Sequence, residues 1–265
     1  RLCQLASNIQ SKPHRKHILT REKAYHGSTF LSASVTGKER DKSAMDTIKE
    51  GIHFLSAPCH FYHPEFATEE AFCDFLIEEL EQKILDVGAD NIMCFIAEPI
   101  LASGGVIVPP ANYNQRCWQT VKKYGITYIA DEVVTGFGRL GHWFASEAVF
   151  GVVPDMIIFA KGVTSGYIPM GGYAVSETFL ATFSGDNAEG CLYSNGYTWG
   201  GSPIACAAAL TSWDIIEREN LLTHVHQIGP YFQQQLRTLK NIPLVGDVRG
   251  QGLMAAVEMT VEGRN

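Results

Sequence analysis

Ile126-Thr127-Tyr128-Ile129-Ala130-Asp131-Glu132-Val133-Val134-Thr135-Gly136-Phe137-Gly138-Arg139 is the stretch whose reading decides the fold. Its first residues form a buried strand that delivers an acidic pair at its carboxyl end and then breaks into a glycine-rich loop. Further along, Met156-Ile157-Ile158-Phe159-Ala160 delivers Lys161-Gly162 in the same way. Two parallel strands that end in Asp and Lys put an anion and an amine on one edge of one sheet. That edge is where open α/β sheets bind ligands.

Outward from that pair, strands and helices alternate. His17 to Arg21 and Ile52 to Leu55 read as short strands, and Phe30 to Thr36 as the start of a helix, with a polar stretch from Gly37 to Gly51. Thr68 is the expected N-cap of the clearest helix. Glu69 and Glu70 suit its dipole, and Phe72, Phe75, Leu76, Leu80 and Ile84 recur at helical spacing up to Gly88. Ile92 to Ala97 is an apolar run of strand length, the pattern of a parallel strand buried on both faces, and Glu98-Pro99 closes it. Tyr113 to Tyr124 and Phe144 to Phe150 read as helices, and Gly171 to Ser176 as a strand that turns back. Ile204 to Glu217 and Val225 to Leu239 read as a helix pair, and Val245 to Glu258 as a hairpin of a smaller lobe. The expected fold is α/β, a mostly parallel sheet flanked by helices.

With 46 % apolar and 18 % charged residues, the 265-residue chain has material for a sizeable core. A net charge of −7 argues against nucleic acid or an anionic membrane as partner. No apolar run approaches the ~18 residues that span a bilayer. The seven cysteines are scattered without Cys-x-x-Cys spacing, so neither a zinc site nor a disulfide framework is expected, and the default location is the cytoplasm. The chain opens on Arg1 without a starting Met and stops just after an apolar strand. A segment of a longer polypeptide is expected.

Lys161 directly follows five apolar residues, a position at the mouth of a core where desolvation would make an amine nucleophilic. Spacing alone favours the plainer reading, a surface lysine at a strand end. Asp131 and Glu132 could equally serve a magnesium site or cap a helix. Taken together, Lys161 and Asp131 supply what pyridoxal phosphate requires, a lysine for its aldehyde and an acid facing its ring nitrogen.

Five motifs in order narrow the choice: Tyr25-His26-Gly27-Ser28-Thr29, Ala97-Glu98-Pro99-Ile100, Asp131 to Arg139, Phe159-Ala160-Lys161-Gly162, and Tyr197-Thr198-Trp199-Gly200-Gly201-Ser202-Pro203. The chain resembles the class III aminotransferases, which are fold-type-I pyridoxal phosphate enzymes, and within them the ω-amine or diamine:pyruvate transaminases. The resemblance implies that Lys161 forms the Schiff base with pyridoxal 5'-phosphate and shuttles protons. Asp131 would pair with the ring nitrogen, Val133 would pack on one ring face, and Tyr25 would stack on the other. Glu98 would sit in the polar shell beside the cofactor, and His26 and Gly27 would support the stacking loop. Thr198 would reach the cofactor phosphate of a neighbouring subunit, which implies a homodimer, or a tetramer, with shared active sites. Arg139 and Arg249 would be structural.

The implied reaction is ping-pong transfer of an amino group from a primary amine, a diamine or polyamine such as putrescine, to pyruvate. An aminomutase, a racemase or a catalytically incomplete large-domain fragment are the alternatives. Residues 1–220 are expected to form the cofactor-binding large domain without its beginning, and residues 221–265 the start of a small C-terminal domain. Two departures from the family pattern stand out. Ser103 occupies the place of a Glu that pairs with a carboxylate-binding arginine in amino-acid-specific members. Val134 occupies the place of a Gln that touches the cofactor's ring hydroxyl. Both suit amines that lack an α-carboxylate.

Overall fold

A computed structural model describes residues 1–184 and 188–260. Five parallel strands, β1 (His17–Arg21), β2 (Ile52–Leu55), β3 (Ile92–Ala97), β4 (Thr127–Asp131) and β5 (Met156–Phe159), form one sheet. A sixth strand, β6 (Gly172–Val175), runs antiparallel to β5 at its edge, and the spatial order is β2-β1-β3-β4-β5-β6. The chain leaves β1 toward β2 on one side and later returns to lay β3 on the other. The β1/β3 boundary is therefore a topological switch point, where loops at the strands' carboxyl ends part and leave a crevice.

Alternation along the inner strands sends side chains into two cores. Phe95, Ala97, Tyr128 and Ala130 enter the larger one, where they meet α4 (Glu69–Val87) through Phe72, Leu76, Leu80 and Ile84, and α5 (Tyr113–Lys123) through Cys117 and Val121. Cys94, Ile96 and Ile129 face the opposite side, against Cys3 and Ala6 of α1 (Leu2–Ile9) and against Phe179. Helices on both faces explain why β3 is apolar along nearly its whole length.

The remaining helices are α2 (Phe30–Val35), α3 (Glu39–Lys42), α6 (Ala145–Phe150), α7 (Glu177–Leu180), α8 (Pro203–Arg218) and α9 (Leu221–Arg237). The expected elements are present with ends that differ by a few residues. Thr68 caps α4 as expected, its hydroxyl accepting the Ala71 N–H at 3.1 Å. Residues beyond α9 form an antiparallel pair, β7 (Val245–Gln251) and β8 (Met254–Met259), in a separate two-stranded sheet. Residues 261–265 of the expected small lobe lie outside the described residues.

Leu76 and Ile84 are enclosed between α4 and the sheet. Truncating either to Ala should lower unfolding free energy by about 2–5 kcal/mol, against about 1 kcal/mol for Thr68→Ala at the helix cap. Urea unfolding midpoints of the three variants test this ranking, and a cap variant as damaging as the core variants would contradict it.

Candidate active site

Four loops at the carboxyl ends of β1, β3, β4 and β5 enclose a cavity of about 640 Å³. The loop after β1 gives Tyr25, His26 and Gly27, and the loop after β3 gives Glu98, Ala102 and Ser103. Asp131, Val133 and Val134 come from β4 and its loop, and Lys161 follows β5. Seven of the eight residues expected at the cofactor therefore share one cavity. The register explains the convergence. Asp131 pairs with Ile158, so the acid and the turn that carries Lys161 leave the sheet side by side.

Asp131 is held on both oxygens. His26 Nδ1 lies 2.7 Å from its Oδ2, and its Oδ1 accepts the Val133 N–H at 3.1 Å. Both side chains are nearly enclosed, and His26 Nε2 has no partner among the described residues. Glu98 accepts the Tyr25 N–H at 2.9 Å and the Ala102 N–H at 3.0 Å, and so ties the β1 loop to the β3 loop. Burial pushes the Glu98 carboxyl up from the ordinary glutamate value, against the pull of nearby His26 and of the two N–H donors. Behind it, the fully buried Arg21 donates to the Glu98 carbonyl and lies over the Tyr113 ring.

The neighbouring acid has a different employment. Glu132 accepts the Thr135 hydroxyl at 2.9 Å, the Ala145 N–H at 2.7 Å and the Ser146 N–H at 2.7 Å. Those amides open α6, so Glu132 caps a helix, one of the two uses left open for the pair, and it is turned away from the cavity.

Lys161 adopts φ 40°, in the left-handed region that costs a non-glycine residue about 1–3 kcal/mol. The turn it begins is clamped from α8. Trp213 Nε1 donates to the Val163 carbonyl at 3.1 Å, and Ser212 and Ser165 share a hydroxyl bond at 2.6 Å. Gly162 is required beside it, since a Cβ there would come within 2.9 Å of the Phe137 Cβ. Of the two readings of its spacing, the plainer one describes the exposure of Lys161, which stands at the cavity rim of this chain because the strand ends two residues earlier and the turn lifts it outward.

Thr198 does not join the cavity. It lies on an exposed loop with Tyr197 and Trp199. Arg249 is bound into the hairpin region, with its Nε donating to the Gly105 carbonyl at 2.8 Å and its guanidinium paired with Glu258 at 2.6 Å. Sequence reading did not anticipate Arg21 or Asp41. A charged residue closing the short strand β1 was a usable signal for Arg21. Asp41 sits in a mixed charge run that carries none.

The arrangement fits pyridoxal phosphate. A fixed carboxylate and an amine face one cavity, a tyrosine and a valine line it, and its volume is in the range of small-ligand sites. The family description "Aminotransferase class-III" matches residues 1–265. Gamma aminobutyrate transaminase 1, mitochondrial, from Solanum lycopersicum is 38 % identical over 253 residues, which is 95 % of this chain and 49 % of that protein. Putrescine–pyruvate aminotransferase from Pseudomonas aeruginosa is 38 % identical over 251 residues, 94 % of this chain and 54 % of that protein. The omega transaminase from Pseudomonas jessenii in complex with PMP superposes with a TM-score of 0.91 at 38 % identity, covering 97 % of this chain and 57 % of that one. The chain spans about half the length of the curated relatives it matches.

The two adjacent acids should separate in a stability assay. Glu132→Gln replaces an acceptor oxygen by a donor facing buried N–H groups, a loss on the order of 3 kcal/mol. Asp131→Asn keeps an acceptor and has an open side toward the cavity, so it should cost about 1 kcal/mol. Equal losses in urea unfolding would contradict this division. For Glu98, the folded carboxyl holds its proton to higher pH than the unfolded one. Its contribution to stability is therefore greatest at low pH and falls as pH rises from the unfolded value toward the raised folded value. A carbon-13 titration of the Glu98 carboxyl should have its midpoint above 4.5, and one at or below 4.5 would contradict the burial argument.

Proposed function

The chain belongs to the class III aminotransferase family, with the large α/β domain of fold-type-I pyridoxal phosphate enzymes, and on that premise we propose that it moves the amino group of a primary amine to a keto acid. The observation that carries the reading is the pairing of Asp131 with His26 in the cavity that Lys161 borders. We assign the donor as a diamine or polyamine such as putrescine and the acceptor as pyruvate. Ser103 at the cavity wall supports this donor class, since it leaves no glutamate there to organise an α-carboxylate site. The relative named for putrescine and pyruvate agrees with it.

Bound pyridoxal 5'-phosphate would supply the electron sink that lets a substrate carbon release its proton. Asp131, positioned by His26 and the Val133 N–H, would face the ring nitrogen. Lys161 would hold the cofactor's aldehyde through its Nζ and would serve as the base that moves a proton to and from the substrate carbon. Val133 and Tyr25, which line the cavity, would flank the ring, and Gly27 in the Tyr25 loop adopts φ 125°. Glu98 holds the two loops beside the cofactor. The keto acid accepts the amino group in the second half of a ping-pong cycle.

Thr198 belongs in this scheme to the phosphate site of a second subunit. Its loop is exposed, and Leu192, Tyr197, Trp199 and Ile204 around it present the apolar area expected of a homodimer, or tetramer, interface. Residues 1–220 act as the cofactor-binding domain and residues 221–265 begin a smaller one, consistent with the separate β7–β8 sheet. No helix among the described residues is long and apolar enough to cross a membrane, and all seven cysteines are free thiols, as in a reducing compartment such as the cytoplasm.

Incubation with pyridoxal phosphate should give a visible absorption band that bleaches with putrescine alone and returns with pyruvate. Lys161→Ala should abolish the band's response to the amine. A band that turns over substrate without any keto acid would favour an aminomutase or racemase, and no band would contradict the reading for this polypeptide.

A further inference from the structure

On the wall of the same cavity an ammonium group is already seated, and it belongs to the protein. Lys38 Nζ lies 2.6 Å from Asp41 Oδ2, donates to Ser103 Oγ at 3.0 Å, and stands 5.6 Å from the centre of the Tyr25 ring. A carboxylate, a hydroxyl and an aromatic face are the partners an alkylammonium ion requires. Three of these four residues, Tyr25, Asp41 and Ser103, line the cavity that Lys161 borders. Lys38 lines instead a second cavity of about 650 Å³, and Ser103 borders both. The Lys38 side chain thus lies between two spaces.

We propose that Asp41, Ser103 and the Tyr25 ring form a subsite for the distal ammonium of a diamine or polyamine donor, which Lys38 occupies with its own ammonium until the donor displaces it. The inference rests on the amine-donor reading above and names the part of the cavity that selects among amines. A lysine side chain is an ammonium on four methylenes, which is the chemistry of one end of putrescine, so the incoming group meets partners already arranged for it. Lys38 and Arg40 beside it hold the Asp41 carboxyl below the ordinary aspartate range, so the anion persists at neutral pH. Arg40 is largely in solvent and competes weakly for it. The displaced Lys38 ammonium has somewhere to go, because Glu22 and Glu39 line the second cavity. Occupancy by Lys38 weakens donor binding by the fraction of time the subsite is free.

The test is the ratio of calorimetric Kd values for putrescine and n-butylamine, which share a carbon chain and differ by one ammonium. The protein is titrated both with and without bound pyridoxal phosphate. Wild type should favour putrescine by about fivefold, the scale of one partly exposed ion pair. Lys38→Met, which vacates the subsite, should widen that ratio by a further factor of about five. Asp41→Asn and the uncharged change Ser103→Ala should each bring it toward one. A ratio unchanged or narrowed in Lys38→Met, or untouched by Ser103→Ala, overturns the proposal. Bleaching of the cofactor band by n-butylamine depends on Lys161 and not on the subsite. Its loss would count against the transaminase reading, while the binding ratios still decide the subsite.

Discussion

The parallel register of β4 on β5 is the constraint from which the site follows. Asp131 opposite Ile158 fixes where both strands end, and the acid and the lysine-bearing turn emerge together. A shift of one residue would send Asp131 to the opposite face of the sheet, since side chains alternate. What prevents that shift is the burial of Tyr128 and Ala130 in one core and Ile129 in the other. The apolar cores therefore set the position of the polar site, and Ile158 belongs to both, packing on one core and lining the cavity.

Around that fixed pair the polar groups divide into two kinds. Glu132 and Glu98 have their oxygens committed to backbone N–H groups, and each joins segments that the sheet alone leaves independent. Asp131 and Lys161 are restrained but keep a side toward the cavity. The strain at Lys161 belongs to this second group. Its left-handed backbone survives because α8 grips the turn through Trp213 and Ser212, and because Gly162 makes room for Phe137. A turn held in this way would suit the amine role proposed for Lys161.

Local pattern carried much of this into the sequence. Near-continuous apolarity in Ile92 to Ala97 announced a strand covered on both faces, Thr68 announced its helix, and the strand-end positions of Asp131 and Lys161 announced their edge. What stayed hidden depends on contacts between distant segments. Nothing in the spacing tells that His26 meets Asp131, 105 positions away, or that Glu132 rather than its neighbour would be spent on capping α6. The exposure of Lys161 agrees with the plainer reading of its spacing, but the left-handed turn that carries it is not encoded by an apolar run followed by lysine. Lys38, Asp41 and Ser103 come together from a mixed charge run and a loop, two of the least informative stretches to read.

The central claim is that Lys161 is the amine this fold presents to pyridoxal phosphate. It is tested most directly by reducing the protein–cofactor complex with borohydride and mapping the modified peptide by mass spectrometry. The account predicts one stoichiometric modification, on Lys161, that is absent from a Lys161→Ala protein. Modification centred on another lysine, including Lys38 in the adjoining wall, would contradict it.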